Sequence, residues 1–331
     1  MPTPRSFLSP SVRIDGVLDV LILLALSGSW LGMFGHWHWF LDLFSHFRWQ
    51  CLIISAIAVV WSFWRKRRTV AWISILTVLL NSWLIGSLTF TTKPPAGKLA
   101  DDFNLRVVSL NVLTSNQRHA DVLDYLRRTD ADVIFLMEVD VAWAAALEPL
   151  KQSHPHHLLH PQRDNFGLAL FSRVQLQKVR LVHEFEHGTN LNPYQTPAIE
   201  VYLRIGSRDL SIYGVHPVPP GGYTAWNSRN FQLQDVASQI TALGRPALVI
   251  GDMNSTPWCE GIRSLRKDSQ LDFRSTIPPW TPTWRTRSVF AIPIDHALCT
   301  PPLVITKREI GPNLGSDHQP QLVEVGFILP K

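Results

Sequence analysis

Asp252 and Asn254 stand two residues apart at the end of an apolar run, the octet from Ala247 to Asn254 reading Ala-Leu-Val-Ile-Gly-Asp-Met-Asn. Alternation along a strand puts both side chains on one side, where a carboxylate and an amide could face one bound cation or one phosphate. An Asp/Asn-rich turn closing a buried strand would read the same way. The pattern recurs: Asn111 stands near the end of Leu105 to Val112, Glu138 where Asp132 to Met137 stops, and His216 after Asp209 to Val215. Asp317 and His318 stand just ahead of Gln321 to Ile328. One polar residue at a strand end means little, but five such ends point to one shared rim.

Hard divalent cations prefer carboxylate and amide oxygens, so Glu138 with Asn111 could hold one, with Asp252 and Asn254 nearby. Such an ion would stabilise charge on a phosphoryl group and on a departing oxygen. His318, with an ordinary pKa of about 6.5, suits a general base on water, and Asp295 is a candidate for fixing its tautomer. His216 could stabilise the charge on a pentacoordinate phosphate or protonate the leaving oxygen. Each residue has a plainer reading: Asn111 capping a turn, Glu138 pairing with a surface arginine, Asp295 bonding a loop backbone. His296 and the cluster of His154, His156 and His157 read as surface or structural residues, since the cluster lacks cysteine and regular zinc-ligand spacing. No Gly-x-Ser-x-Gly, no Gly-x-x-x-x-Gly-Lys and no Cys-x-x-Cys occurs, which argues against serine-nucleophile, nucleoside-triphosphatase and dithiol chemistry. A bridge between Cys259 and Cys299 is allowed in an oxidising compartment but is not dictated by the sequence.

The elements that must position these residues are short strands and few helices. Strand patterns are expected at Leu105 to Val112, Asp132 to Met137, Gly167 to Phe171, Pro197 to Ile205, Asp209 to Val215, Ala247 to Ile250, Pro293 to Cys299 and Gln321 to Ile328. Helical spacing marks Arg118 to Arg128, Val141 to Leu150 and Ala225 to Leu243. The class is α/β.

The first hundred residues are different. They carry nine Lys/Arg against three Asp/Glu and eight of the thirteen tryptophans, whereas residues 101–331 carry twenty-two against twenty-three. The basic balance therefore belongs to the amino-terminal part, and the remainder advertises no polyanion-binding surface. Three apolar runs, about 17–40, 49–64 and 69–92, are expected to cross a membrane; a crossing helix needs roughly 20 apolar residues. A cleaved signal peptide would explain only the first run, and a soluble helical domain would need polar faces that these runs lack. Arg5, Arg13 and the tetrad Arg65 to Arg68 fall on one side of three threaded spans, which the positive-inside rule makes cytoplasmic. The expected organisation is a membrane domain over 1–92, a Pro/Gly-containing linker over 93–103, and a catalytic domain over 104–327 outside the cytoplasm.

The ordered set of motifs resembles the endonuclease/exonuclease/phosphatase superfamily, which includes pancreatic deoxyribonuclease, abasic-site endonucleases, sphingomyelinases and inositol-polyphosphate 5-phosphatases. The matching stretches are Ser109 to Asn111, Met137-Glu138, Asn165 to Arg173, Val215 to Pro217, Gly251 to Trp258, Ile294 to His296 and Gly315 to His318. With three spans ahead of it, the chain is similar to a bacterial membrane-associated branch of that superfamily. The resemblance implies a four-layer α/β/β/α sandwich of two mixed sheets and metal-dependent hydrolysis of a phosphate ester, with Mg2+ or else Mn2+ as cofactor. It implies that Glu138 and Asn111 hold the metal with Asp252 and Asp317 close by. Asp252 and Asn254 would align the water and bind phosphate, His216 would act at the leaving group, and Asp295 with His318 would form the orienter–base pair. Two departures stand out. Leu113 occupies the place where some members carry a further acid, and the acid that often partners the His216 position has no motif here; Asp164, Glu184 and Glu186 are candidates.

These readings lead to a phosphodiester hydrolase anchored in a bacterial inner membrane, its catalytic domain on the periplasmic side. Nucleic acid is the first expected substrate, contacted by a local patch of Arg229, Arg285 and Arg287. A phospholipid headgroup is the second, and a phosphomonoester or a non-catalytic binding module are further alternatives. The lipid bilayer is an expected partner, and no protein partner is inferred.

Overall fold

The computed structural model describes residues 14–91, 97–182, 194, 196–275 and 277–329. It opens with α1 (Ile14–Leu31), the short α2 (Trp39–Leu43), α3 (Arg48–Trp64) and α4 (Arg68–Thr91). Three of these helical stretches are long and apolar enough to cross a membrane. Their outward faces are apolar, with Val60, Trp64, Trp72 and Trp83 among the most exposed side chains. Some of their inward polar groups pair with each other: the Asn81 amide donates to Ser29 Oγ (2.9 Å) and Trp30 Nε1 to Thr77 Oγ1 (3.1 Å). That is how a helix bundle without surrounding water satisfies polar side chains. The first apolar run, expected to continue to residue 40, stops as helix at Leu31. Residues 32–47 become a connector of one α-helical and two 3-10 turns.

The remainder follows as β1 (Leu99–Asn111), α5 (His119–Arg128), β2 (Val133–Met137), α6 (Val141–Ala146), β3 (His156–His160), β4 (Leu168–Ser172), β5 (Leu176–Val182), β6 (Ala198–Ile205) and β7 (Arg208–Val215). Then come α7 (Tyr223–Leu243), β8 (Ala247–Asp252), α8 (Glu260–Asp268), β9 (Asp295–Cys299), β10 (Leu303–Ile310) and β11 (Gln321–Ile328). One sheet runs β10-β11-β1-β2-β4-β3 and the other β5-β6-β7-β8-β9. Both are mixed: β1 with β2 and β7 with β8 are parallel, and the other neighbours are antiparallel.

Period-two alternation makes the layers. Val107, Val133, Phe135 and Met137 of one sheet meet Val201, Ile212, Leu248 and Ile250 of the other in a continuous apolar core. Their sequence neighbours point outward. Val108, Leu110, Ile134 and Leu136 pack with α5 and α6 residues such as Val122, Leu126 and Trp143. Val215, Ala247 and Val249 pack with Leu233 and Val236 of α7 and with Ile262 and Leu265 of α8. The result is the four-layer α/β/β/α sandwich.

One difference from the sequence reading has a local cause, and two open readings, the cysteine pair and the histidine cluster, take definite form. The strand β1 begins at Leu99, inside the expected linker, because Ala100 and Phe103 find burial between the sheets. The cysteines 259 and 299 are separate buried thiols, Cys259 beside Thr256 Oγ1 and Cys299 Sγ donating to the Leu303 carbonyl. Of the histidine cluster, His154 is buried with Nε2 on the Ala131 carbonyl (2.9 Å), while His156 and His157 lie in β3 at the sheet edge.

Gly251 sets the exit of β8 toward the rim. Its φ is 145°, and a Cβ there would lie 2.0 Å from the Val215 carbonyl oxygen of β7. Gly251→Ala is therefore expected to cost about 1–3 kcal/mol or more, read as a lower thermal midpoint. An unchanged midpoint would mean that β7 and β8 part without penalty.

Candidate active site

Register assembles the site. Asn111 pairs across from Met137, which puts Glu138 one residue past it, and Asp252 pairs across from Asp295. The parallel pairs β1/β2 and β7/β8 end at the same mouth, where strand ends in open sheets usually carry chemistry. The Asn111 amide nitrogen donates to Glu138 Oε1 (2.8 Å) and Asp252 Oδ2 (3.2 Å), tying the two sheets together. Its Oδ1 accepts from the Leu113 backbone (3.0 Å). Glu138 also accepts from the Thr114 backbone N–H (3.3 Å). Leu113, Glu138 and Asn254 all have positive φ, at 60°, 62° and 45°. Non-glycine residues reach that region rarely, and such departures gather at functional sites.

On the opposite wall, His318 Nδ1 lies 2.9 Å from Asp295 Oδ2, and its backbone N–H is held by Ser316 Oγ (3.0 Å). Nε2 of His318 and Nε2 of His216 each lie 3.5 Å from Asp252 Oδ2. Asn254 donates its backbone N–H to Asp252 Oδ1 (2.9 Å) and its amide to the Pro217 carbonyl (2.9 Å). Asp317 accepts from Trp284 Nε1 (2.7 Å). Asn111, Asp252, Asp295, His216 and His318 are all buried. Together with Glu138, Asn254 and Asp317, three of them (His216, Asp252 and His318) line one cavity of about 680 Å3.

The charges are strongly interdependent. Burial pushes the His318 imidazole toward neutrality, but the Asp295 and Asp252 carboxylates outweigh it and hold its pKa up at about 10. Burial pushes Asp252 up, and His318 and His216 together bring it down to about 2. Asp295 stays raised, because burial exceeds the pull of His318. His296, by contrast, is driven down to about 3, chiefly by burial, and its Nε2 bonds the Ser255 carbonyl (2.8 Å), which makes it a structural residue.

The cationic candidates divide. Arg229 is fully buried and does not reach the cavity: its guanidinium meets Asp42 Oδ2 (2.7 Å), Asn230 Oδ1 (2.8 Å) and the Asn254 carbonyl (3.2 Å). The face of α7 expected to offer a basic patch is covered by the connector. Arg285 is exposed, its guanidinium lying over the Trp284 ring at 4.5 Å, and its backbone N–H holds the Asp317 carbonyl (2.8 Å). The acid nearest His216 is Asp252. Asp164 lines the cavity but is exposed and caps the Phe166 backbone, and Glu184 and Glu186 lie outside the described residues.

Sequence reasoning missed one wall. Leu43, His46 and Phe47 of the connector line the cavity alongside Glu138, His216 and His318. The available signal was Asp42, the sole acid between Val20 and Trp64; an ionisable residue inside an apolar stretch marks function or a specific partner. The partners are Arg229, Trp226 Nε1 (3.0 Å) and the Glu260 backbone N–H (3.0 Å).

Two mixed sheets lie face to face, with carboxylate, amide and histidine side chains gathered at one mouth, the architecture of a family of phosphoester hydrolases. Residues 103–318 match the model of the Endonuclease/Exonuclease/phosphatase family, and the chain belongs to that family. Among solved structures it is similar to an endonuclease/exonuclease/phosphatase from Beutenbergia cavernae, at 18% identity and TM-score 0.56 over 68% of this chain and 72% of that one. It is similar to the human Nocturnin catalytic domain with bound sulfate, at 20% identity and TM-score 0.55 over 71% and 100%. TDP2 from D. rerio, in complex with single-strand DNA product, gives 15% identity and TM-score 0.55 over 68% and 99%. No curated protein sequence matches this chain.

Proposed function

We propose that this protein is a membrane-anchored, divalent-metal-dependent phosphodiester hydrolase in which an Asp295–His318 pair activates water. The observation that carries the reading is the Asp295–His318 contact facing Asp252 across the cavity that Glu138 and Asn254 also line. A cation fits the donor set: the carboxylates of Glu138 and Asp252 approach each other with only the Asn111 amide between them, and both offer hard oxygens. Glu138, Asp252 and Asp317 would hold Mg2+ or Mn2+; Asn111, whose amide nitrogen faces both carboxylates while its Oδ1 is held by the Leu113 backbone N–H, would join them as a ligand only with its amide turned over. A tighter group, Asp252, Asp295 and His318, also has one ligand atom from each within 4.8 Å, but there the His318 Nδ1 is already engaged by Asp295, which suits proton transfer. The chemistry a cation supplies in such a site is neutralisation of the phosphoryl and departing oxygens, with a weaker hold of the carboxylates on the His318 proton.

The side chains do the rest. Asp295 accepts from Nδ1 and so fixes the tautomer in which Nε2 is free to take a proton from water. Asn254, pinned through Asp252 and Pro217, orients that water or a phosphoryl oxygen. His216 Nε2 donates to the leaving oxygen. Three span-length apolar helices support anchoring in a bilayer, and with three crossings the basic tetrad Arg65 to Arg68 lies at the end away from the catalytic domain, which by the positive-inside rule supports a periplasmic location on a bacterial inner membrane.

The test is hydrolysis of bis(p-nitrophenyl) phosphate by the full chain in detergent with Mg2+, set against p-nitrophenyl phosphate. Turnover abolished by EDTA, with the diester preferred at least about 10-fold, is the expected result. Preference for the monoester would replace the reading with a phosphomonoesterase. Glu138→Gln is expected to raise the Mg2+ concentration for half-maximal rate by at least about 10-fold, the lower end of what losing even a supporting group costs a metal site. An unchanged metal dependence would remove Glu138 from the ligand set.

A further inference from the structure

We infer that the substrate is a phosphodiester lipid of the bilayer, its headgroup bound by His46 and its apolar chain led into the site along α3. This inference rests on the phosphodiesterase reading above and names its substrate.

Three observations carry it. First, the catalytic cavity is completed by the membrane domain. The connector runs between α1 and α3, its residues from Trp39 onward belong to the apolar stretch Trp39–Trp64 that is long enough to cross a bilayer, and its Leu43 and Phe47 line the cavity together with Val218, Pro219 and Ile292. The connector is fixed to the catalytic domain by Asp42 and by Thr256 Oγ1 donating to the Ser45 carbonyl (3.2 Å), and the start of α3 by Gln50 Nε2 donating to the Ala291 carbonyl (2.9 Å). The wall of the catalytic cavity is thereby built in part from an apolar, span-length stretch.

Second, His46 is 7% exposed, and neither ring nitrogen has a hydrogen-bond partner. Buried polar groups are almost always paired, and leaving an imidazole unpaired costs free energy. It lies in the wall of the catalytic cavity, where a polar headgroup or a non-bridging phosphate oxygen would satisfy it.

Third, a second cleft of about 400 Å3 adjoins the first and shares His46 and Ile292 with it. Its walls include Trp49 and Ile53, one helical turn apart at the start of α3, together with Trp258 and Trp280. Ile53 is 56% exposed on the outward face of α3, where acyl chains would lie. The cleft therefore runs from the lipid-facing side of α3 to the histidine that opens onto the catalytic cavity.

Nucleic acid fits less well. Single-stranded polyanions bind along basic grooves with stacking aromatics, and phosphate contacts come from Lys and Arg. Among the described residues lining the catalytic cavity, none is Lys or Arg. In the reaction, water adds its oxygen to phosphorus and gives one proton to His318. The P–O bond to one ester arm breaks, His216 delivers a proton to that arm, and a phosphomonoester and an alcohol result.

The test uses the full chain reconstituted with Mg2+ into vesicles of total polar lipid from a bacterial inner membrane. Conversion of lipid diester to phosphomonoester is followed by phosphorus NMR, beside bis(p-nitrophenyl) phosphate and a single-stranded 20-nucleotide DNA. The lipid is expected to react with kcat/KM at least about 10-fold above that of the DNA. His46→Gln and Ile53→Gln are each expected to lower the ratio of lipid to bis(p-nitrophenyl) phosphate kcat/KM by about 10-fold or more. That is the size of discrimination one pocket contact supplies. Ile53 lies on the outer face, so its replacement tests the cleft even if the His46 variant fails to fold. Turnover of bis(p-nitrophenyl) phosphate without lipid hydrolysis, or DNA cleaved as fast as lipid, overturns the inference and leaves the phosphodiesterase reading standing. An unchanged ratio in both variants also overturns it. No turnover of any diester overturns both.

Discussion

Replacing His318 by alanine is expected to lower kcat on bis(p-nitrophenyl) phosphate by about 100- to 10,000-fold, the usual contribution of a positioned general base. The expectation follows from where the ring is held. Its Nδ1 is committed to Asp295 (2.9 Å), its backbone to Ser316 Oγ, and its Nε2 faces Asp252 and the cavity. Among the described groups lining that cavity, His216 is the other imidazole near Asp252, and its Nδ1 has no hydrogen-bond partner to fix a tautomer. It is therefore a poor substitute base. Asp295→Asn should reproduce much of the loss, because an amide can present either oxygen or nitrogen to Nδ1 and no longer stabilises imidazolium. Single-turnover rates at saturating Mg2+ separate this from a binding defect: both variants should slow the chemical step while KM stays within a few-fold of the parent. A His318→Ala enzyme within about 3-fold of the parent rate would remove the Asp295–His318 pair from the chemistry.

Much of this site was legible in the sequence because each of its members sits beside a strand end, and strand ends can be read from apolar runs and alternation. Asn111, Glu138, His216, Asp252, Asn254, Asp317 and His318 lie at the mouth that the strand ends suggested, and Asp295, expected inside a strand as the partner of His318, stands at the first residue of β9 beside them. The sequence could not say which ends are neighbours; the parallel pairing of β1 with β2 and β7 with β8 does that. Elements with mixed or charged faces escaped. The strand β5 carries Lys178 and Arg180 on exposed positions, β10 carries an exposed Lys307 beside a buried Arg308, and α8 is only nine residues long. The error at Arg229 had another cause. Its charge was read as a surface property, yet its partner Asp42 is 187 residues away and belongs to the amino-terminal helical part. Nothing local to either residue discloses such a pair.

That pair carries the other large expected effect. Asp42→Ala should destabilise the packing of the membrane and catalytic domains by roughly 3–5 kcal/mol, the cost of removing one partner of a buried ion pair and leaving the other charge without compensation. The two side chains are 3% and 0% exposed, so water cannot replace the lost carboxylate. The same substitution strips the Trp226 indole and the Glu260 backbone N–H of their acceptor. Activity should fall with stability, for a structural reason: Arg229 also donates to the Asn254 carbonyl (3.2 Å), and Asn254 holds Asp252 through its backbone N–H. The connector, the interdomain pair and the catalytic loop thus form one hydrogen-bonded chain. Pairing Asp42→Leu with Arg229→Met discriminates a charge effect from a loss of shape, since replacing both partners of a buried pair by apolar groups is often neutral. The double variant should recover most of the thermal midpoint lost by either single variant, but not the full rate, because the donor to Asn254 is gone. If Asp42→Ala melts and turns over like the parent, the connector is packed on the catalytic domain without being coupled to it. The membrane domain would then serve as an anchor, with no part in shaping the site.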